Sequence, residues 1–163
     1  MALAVPDLPA EAALLTELIL EVFRLNGRLL GAGDRLVQSL GLSSARWQVL
    51  GAVAMADAPL PVAHIARNMG LTRQAVQRVV NELEAEGLLG FATNPHHQRA
   101  RLVLLSRSGS LAFRAAAQRQ APWATQLAQG IPVRELRTAL GLLHKLVSRL
   151  EAAIPAGSDL ELS

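Results

Sequence analysis

Four side chains that can recognise DNA bases follow one another at helical spacing near the middle of the chain: Arg73, Gln74, Gln77 and Arg78. Arg and Gln carry forked donors and acceptors that match the guanine and adenine edges in the major groove. The same segment places four apolar residues on one helix face, namely Val76, Val79, Val80 and Leu83. This pattern predicts a helix that is buried on one side and presents Arg and Gln on the other. A helix face that is only exposed to solvent would carry similar residues. The choice between such a face and a DNA-binding face therefore depends on the neighbouring elements.

The segment before this helix has the pattern of a helix-turn-helix motif. Pro61 stands where the first position of a helix tolerates proline, and Gly70 stands where the chain must turn. Thr72 opens the helix expected over 72–86, which would enter the major groove. Residues 60–106 as a whole predict two short helices, this third helix and then a β-hairpin.

The hairpin has predicted strands over Leu88–Thr93 and Arg101–Leu105, joined by the turn Asn94–Arg99. Phosphates attract cations whatever the base sequence, so we expect its tip to contact the DNA backbone or the minor groove through His97, Arg99 and Arg101. Arg99 and Arg101 are two residues apart, which on a strand puts them on the same side.

Other chemistry finds little support. His96 and His97 are adjacent in a tight turn, where two side chains rarely chelate one ion, so we expect no metal site and a simply polar tip. The chain has no cysteine, which excludes disulfides and thiolate metal sites. No nucleophile and base stand in a recognisable arrangement. We therefore predict no catalytic residue, no cofactor and no enzyme activity.

Long apolar helices flank the central segment. Helices predicted over 9–39 and 132–154 are apolar around more of their circumference than one small domain needs, which suggests that a second chain covers them. Gly27, Gly31 and Gly33 in the first of them predict a bend or a close helix contact. The Gly41–Ser44 break would cap a helix over Ala45–Met55, and Ser106 would cap a helix that runs to about residue 129 with a kink at Pro122.

Composition is consistent with a DNA-binding protein that acts inside the cell. The 163 residues are 51% hydrophobic and carry a net charge of +3. The segment from Arg67 to Arg107 contains six Arg and only three acidic residues. No signal peptide is recognised, and charges interrupt the apolar stretch Leu14–Leu30, so we expect a cytoplasmic protein without a membrane span.

The hairpin resembles the wing of the MarR family of winged-helix transcription regulators. Matching positions, without a gap, are Gly87, Leu88, Pro95, Arg99, Ala100, Leu105 and Gly109, with Ser106 in place of the usual Thr. The preceding helix is similar through Val76, Arg78, Val80 and Leu83, and Gly41-Leu42-Ser43 resembles the family's first interhelical link. The order of elements fits from about residue 9 to 154.

The wing also departs from the family pattern. His97 stands for the usual Asp, Gln98 for the first Arg of the pair, and Phe91 for the Arg after the first strand begins. The usual Asp helps to hold the Arg two residues on, so Arg99 would lose its carboxylate partner. This predicts a wing that is either more mobile or anchored in another way.

The resemblance implies a homodimer formed by the terminal helices, double-stranded DNA as partner, and a small aromatic or anionic effector bound between the DNA-binding and dimerisation parts. The candidates for such a pocket are Trp47, as part of its wall, and Arg24 and Arg28, which would contact an anion. The plainer interpretations are that Trp47 packs in the core and that the two arginines are simply exposed to solvent.

We therefore predict a mainly α fold with a small β-hairpin wing, a winged helix-turn-helix between long terminal dimerisation helices. Residues 1–40 would form the N-terminal dimerisation helix, 41–106 the DNA-binding domain, and 107–163 the C-terminal dimerisation helices and tail. The function predicted is a ligand-responsive repressor that binds a pseudo-palindromic operator. The alternative is a winged-helix protein-interaction module that has lost DNA binding.

Overall fold

The computed structural model describes residues 8–95, 97 and 99–153, and most of these are helical. Its helices are α1 (Ala10–Val37), α2 (Ser44–Ala54), α3 (Val62–Met69), α4 (Arg73–Ala85), α5 (Arg107–Leu127) and α6 (Val133–Ala153). Three short strands complete it: β1 (Leu60–Pro61), β2 (Leu89–Ala92) and β3 (Leu102–Leu105). The predicted fold class, mainly α with a β-hairpin wing, is confirmed.

Polar caps and one turn glycine set the helix boundaries around the winged domain. The Ser43 side chain accepts a hydrogen bond from the Arg46 amide (3.3 Å), and the Thr72 side chain accepts one from the Ala75 amide (3.2 Å). Such side-chain acceptors satisfy amides that have no partner inside the first turn. Gly70 ends α3 in a left-handed conformation with φ of 64°, which a side chain would disfavour.

The sheet is antiparallel, with β3 in the middle and the order β1-β3-β2. Its hairpin pairs Leu89 with Leu105 and Ala92 with Leu102. The expectation for 60–106 was wrong in one respect, because that range holds two helices, α3 and α4, rather than three. The two-residue strand β1 was not predicted, because Pro61 was expected at the first position of a helix, whereas it lies in β1 just before α3. So short a segment has no periodicity, and it pairs only because β3 offers it an edge.

The core lies where α2, α3 and α4 meet β2 and β3. Its largest fully buried side chains include Leu50 of α2, Ile65 of α3, Leu83 of α4 and Val103 of β3. All four apolar residues of the predicted α4 face are buried, which confirms that face. Burial of this face, more than helix propensity, stabilises a helix of only 13 residues.

The glycines of α1 are not equivalent. A Cβ on Gly33 would come within 2.1 Å of the Ser44 hydroxyl oxygen, whereas a Cβ on Gly27 would meet nothing within 4 Å. Ser44 begins α2, and its side-chain oxygen donates to the Leu30 carbonyl (2.8 Å) while its amide donates to Asp34 Oδ1 (2.6 Å). The predicted close helix contact therefore occurs at Gly33, where α1 meets the start of α2.

The chain divides into two compact units between Ala117 and Gln118. The first contains α1 to α4, the sheet and the start of α5, and the second contains the end of α5 and α6. Among the residues that the structure describes, α6 has none that is buried. No helix in the described ranges is long and apolar enough to cross a membrane.

Candidate nucleic-acid interface

The exposed face of α4 carries the polar residues that the sequence singled out. Arg73, Gln74 and Arg78 are exposed, and Gln77 is half-buried. Gln77 Nε2 donates a hydrogen bond to Asn81 Oδ1 one turn further on (2.8 Å), which orients the amide along the helix surface. Thr72, the cap of α4, is also exposed. The helix therefore presents a row of Arg and Gln side chains outward, while its opposite, apolar face is buried in the core.

Contacts at both ends hold α4 in place. At its start, the Leu71 amide donates to the Ala66 carbonyl of α3 (2.9 Å) across the Gly70 turn. Just beyond its end, Glu86 pairs with Arg46 of α2, whose side chain is only 16% exposed. Arg46 Nη1 also donates to the Gly41 carbonyl (3.0 Å), so one side chain of α2 contacts both the residue that follows α4 and the α1–α2 link.

The hairpin tip is anchored by a residue outside the predicted DNA-binding set. Asn94 is buried, and its Nδ2 donates to the Ala100 carbonyl across the base of the turn (3.0 Å). The His97 amide donates back to the Asn94 carbonyl (3.3 Å), and the Ala100 amide donates to the His97 carbonyl (3.0 Å). This hydrogen bond supports the second of the two predicted alternatives for the wing, an anchor other than the usual Asp. The Asn-Pro pair was a turn signal, but it does not reveal which atom the amide meets.

A second unexpected contact lies where the paired strands of the hairpin meet its turn. The guanidinium carbon of Arg101 lies 3.9 Å from the centroid of the Phe91 ring. Phe91 pairs with Val103, and Arg101 precedes Val103 by two residues, so the contact is a diagonal cross-strand pair. Phe91, one of the three wing residues that depart from the family pattern, thus contacts one of the predicted DNA-contacting arginines.

A cleft of about 300 Å³ lies between α4, the start of α3 and the hairpin. Arg73 and Gln77 line it from α4, and Phe91, Arg99 and Arg101 line it from the hairpin. The structure therefore brings together four residues of the predicted site. In the described ranges 8–95, 97 and 99–153, no carboxylate pairs with any of the three arginines.

Other predicted site residues lie outside the cleft lining. Gln74 and Arg78 face solvent further around α4, and His97 is exposed at the hairpin tip. His96 and Gln98 fall outside the residues that the structure describes. The described part of the chain contains no group of three His, Cys, Asp or Glu that could hold a metal ion.

The structure does not bring together the three residues predicted for the effector pocket. Arg24 pairs with Glu21 on the open surface of α1, and Arg28 is also exposed. Trp47 is half-buried beside Gly33 and packs against the core. Gly33 follows Arg24 by nine residues, which is about 13 Å along a helix. The pocket remains a prediction, and packing is the role that the structure gives Trp47.

The sequence was compared with family models and with individual proteins. A family model described as MarR family matches residues 40–100 of this chain. An uncharacterised protein of Mycobacterium tuberculosis is 33% identical over 141 residues, covering 86% of this chain and 97% of the relative. The transcriptional activatory protein BadR of Rhodopseudomonas palustris is 26% identical over 111 residues, covering 67% of this chain and 63% of BadR.

Solved structures of low identity share the fold. A MarR/EmrR family transcriptional regulator from Acinetobacter sp. ADP1 superposes with a TM-score of 0.76 at 20% identity, covering 84% of this chain and 96% of that protein. CouR from Rhodococcus jostii RHA1, solved with p-coumaroyl-CoA bound, gives a TM-score of 0.69 at 23% identity, covering 77% of this chain and 87% of CouR. The chain and these proteins therefore have the same winged-helix architecture.

Proposed function

Because this chain belongs to the MarR family of transcription regulators, which bind DNA and are not enzymes, we propose that two copies of it bind one pseudo-palindromic operator and repress transcription. The observation that carries this proposal is α4, whose valines and Leu83 are buried while its Arg and Gln side chains face outward beside a cleft lined with arginine. This is the arrangement that a helix needs in order to read a major groove while the adjacent hairpin meets the backbone.

The proposed roles divide by side-chain chemistry. On α4, Arg and Gln have the geometry to read base edges, so we assign base contacts to Arg73, Gln74, Gln77 and Arg78. Thr72, at the start of the helix, would contact a phosphate, since helix N-termini favour anions. On the hairpin, we assign contacts with the backbone or the minor groove to His97, Arg99 and Arg101.

Exposed apolar residues support the homodimer. Along α1, side chains at spacings of three and four stand exposed, including Leu15, Ile19 and Val22. On α6 the exposed series is Leu136, Leu140, Leu143, Val147 and Leu150. A chain that leaves this much apolar surface in water is liable to aggregate, and a second copy that covers it removes the problem. A two-fold dimer presents two copies of α4, which explains why the operator would be a pseudo-palindrome.

A small effector is proposed by analogy with CouR, which was solved with p-coumaroyl-CoA bound. That molecule joins an aromatic acyl group to an anionic carrier, so it supports an aromatic or anionic ligand here. We propose Trp47 as an aromatic wall and Arg24 and Arg28 as anion partners, brought together only when the dimer forms. An effector of this class would weaken operator binding in a titration, whereas a neutral aliphatic compound would not.

The decisive experiment is a gel shift with the purified chain and the DNA that flanks its own gene. We expect a shifted band that survives an excess of random duplex and that Arg73→Ala weakens. Arg114→Ala, which removes the same charge from an exposed site on α5, provides the matched control. Failure to bind any duplex even at low salt would refute DNA binding and favour the protein-interaction module.

A reporter assay then tests the sign of regulation. If the chain is a repressor, its deletion raises expression from the promoter that carries the operator. BadR is named as an activatory protein, and a fall in expression on deletion would assign this chain the same sign and contradict repression.

A further inference from the structure

We infer that Phe91 is a positioning residue, which holds the Arg101 guanidinium in the cleft so that Arg101 binds a phosphate of the DNA strand. The inference rests on the proposed DNA binding and adds a residue that touches no base. Its starting point is the stacked pair itself, in which the Arg101 guanidinium carbon lies 3.9 Å from the Phe91 ring centroid.

An aromatic ring holds an arginine in a way that a carboxylate cannot. A carboxylate would take two of the guanidinium N–H groups and cancel the charge. A ring contacts the flat face of the guanidinium, so the in-plane N–H donors and the positive charge stay available for an anion. In the described part of the chain, no carboxylate pairs with Arg101. The stacked arginine is therefore oriented without being neutralised.

The ring is itself held rigidly. Phe91 lies within β2, pairs in register with the fully buried Val103, and packs against the core while remaining partly exposed. Arg101 precedes β3 and is exposed, so without the ring its long side chain would be free to sample many rotamers. Fixing such a side chain before binding removes an entropic cost that DNA contact would otherwise carry.

The position of the cleft identifies the anion as a backbone phosphate. Arg73 and Gln77 line the cleft from α4, and Arg99 and Arg101 line it from the hairpin. A strand whose bases are read by α4 must carry its phosphates past the edge of that helix, where the cleft lies. A phosphate oxygen pair matches the fork of a guanidinium. This contact is independent of base sequence, because every nucleotide presents the same group.

The test is a double-mutant cycle between Phe91 and Arg101, read by DNA-binding titrations at several salt concentrations. Phe91→Leu removes the ring but keeps an apolar side chain in the sheet. Phe91→Tyr keeps the ring and serves as the conservative rescue. Each is measured in the wild-type and the Arg101→Ala background, on operator and on random duplex, with thermal melting as the check of folding.

We expect Phe91→Leu to weaken both duplexes by similar factors, roughly two- to five-fold per protomer, the range for an exposed cation–π contact. Arg101→Ala should flatten the slope of log affinity against log salt by about 0.9 per protomer, the value for one phosphate contact. Phe91→Leu should flatten this slope by a smaller amount, whereas Phe91→Tyr should keep the slope of the unaltered protein. In the Arg101→Ala background, Phe91→Leu should change neither the affinity nor the slope.

Three results would overturn the inference, and they differ from failure of the proposed function. An unchanged affinity and slope in Phe91→Leu would show that the ring does not matter. An equal loss in the Arg101→Ala background would show that Phe91 acts on the DNA or the fold directly. A loss confined to the operator would show that Arg101 reads bases. If the unaltered chain binds no duplex at all, DNA binding itself fails and the inference falls with it.

Discussion

Gly33→Ala should destabilise this protein, although alanine is the better helix former. The new Cβ would lie 2.1 Å from the Ser44 hydroxyl oxygen, far inside an ordinary contact distance. Ser44 is only 4% exposed and its hydroxyl donates to the Leu30 carbonyl of α1. Either the hydroxyl must turn away or α1 must move away from the start of α2.

Both responses have known costs. A buried hydroxyl that loses its acceptor costs about 1–3 kcal/mol, and a backbone shift that relieves overpacking costs about 1–3 kcal/mol. Replacing glycine by alanine inside a helix returns up to about 1 kcal/mol. The net expectation is a loss of about 1–2 kcal/mol in the free energy of unfolding. For a chain of 163 residues this corresponds to a fall of roughly 2–8 °C in Tm.

Thermal and urea unfolding at a fixed protein concentration measure the effect, since a dimer's stability depends on concentration. Ser44→Ala provides the matched background, because it removes the hydroxyl and leaves a Cβ at 3.5 Å, an ordinary contact. In that background Gly33→Ala should be neutral or stabilising, so the sign of the effect reverses. A Gly33→Ala protein as stable as the parent, or an equal loss with and without the Ser44 hydroxyl, would refute the reasoning.

The remaining predictions concern DNA binding and assembly. Arg73→Ala and Gln77→Ala should each weaken operator binding by about 1–3 kcal/mol and relax base preference; unchanged affinity in both variants, measured by titration, would mean that α4 is not the reading helix. Arg99→Ala should weaken operator and random DNA alike and lower the salt slope by about one per protomer; a loss confined to the operator would indicate base or groove-shape reading. Asn94→Ala should increase hydrogen exchange at the hairpin tip, because its Nδ2 bond to the Ala100 carbonyl closes the turn; unaltered exchange would remove Asn94 as the anchor. The homodimer should bury more than about 2,000 Å² in total, and a monomer by sedimentation at micromolar concentration would contradict it.

The sequence by itself was sufficient for most of the helices, for the hairpin and for the face that α4 presents, but not for β1 or for the number of helices in 60–106. Apolar residues at spacings of three and four can be satisfied only by a helix with one buried side, so Val76, Val79, Val80 and Leu83 determined which side Arg73 and Gln74 must occupy. Caps depend on a neighbour two or three residues away, and both Ser43 and Thr72 act within that range. The fold class followed from these local signals together with the resemblance of the wing to that of the MarR family.

Only the tertiary structure decided the contacts between residues that are distant in sequence or that depend on register. The register of β2 against β3 places Phe91 diagonally from Arg101, and no periodicity in either strand reveals that register. Asn94 looked like a turn residue, but its role as the anchor follows from where the Ala100 carbonyl lies. Gly33 resembled Gly27 in sequence, and what separates them is the Ser44 hydroxyl packed against one and open space beside the other. These distinctions depend on the docking of whole elements, which is set by the sum of many weak contacts and therefore leaves no signal in any short segment of the chain.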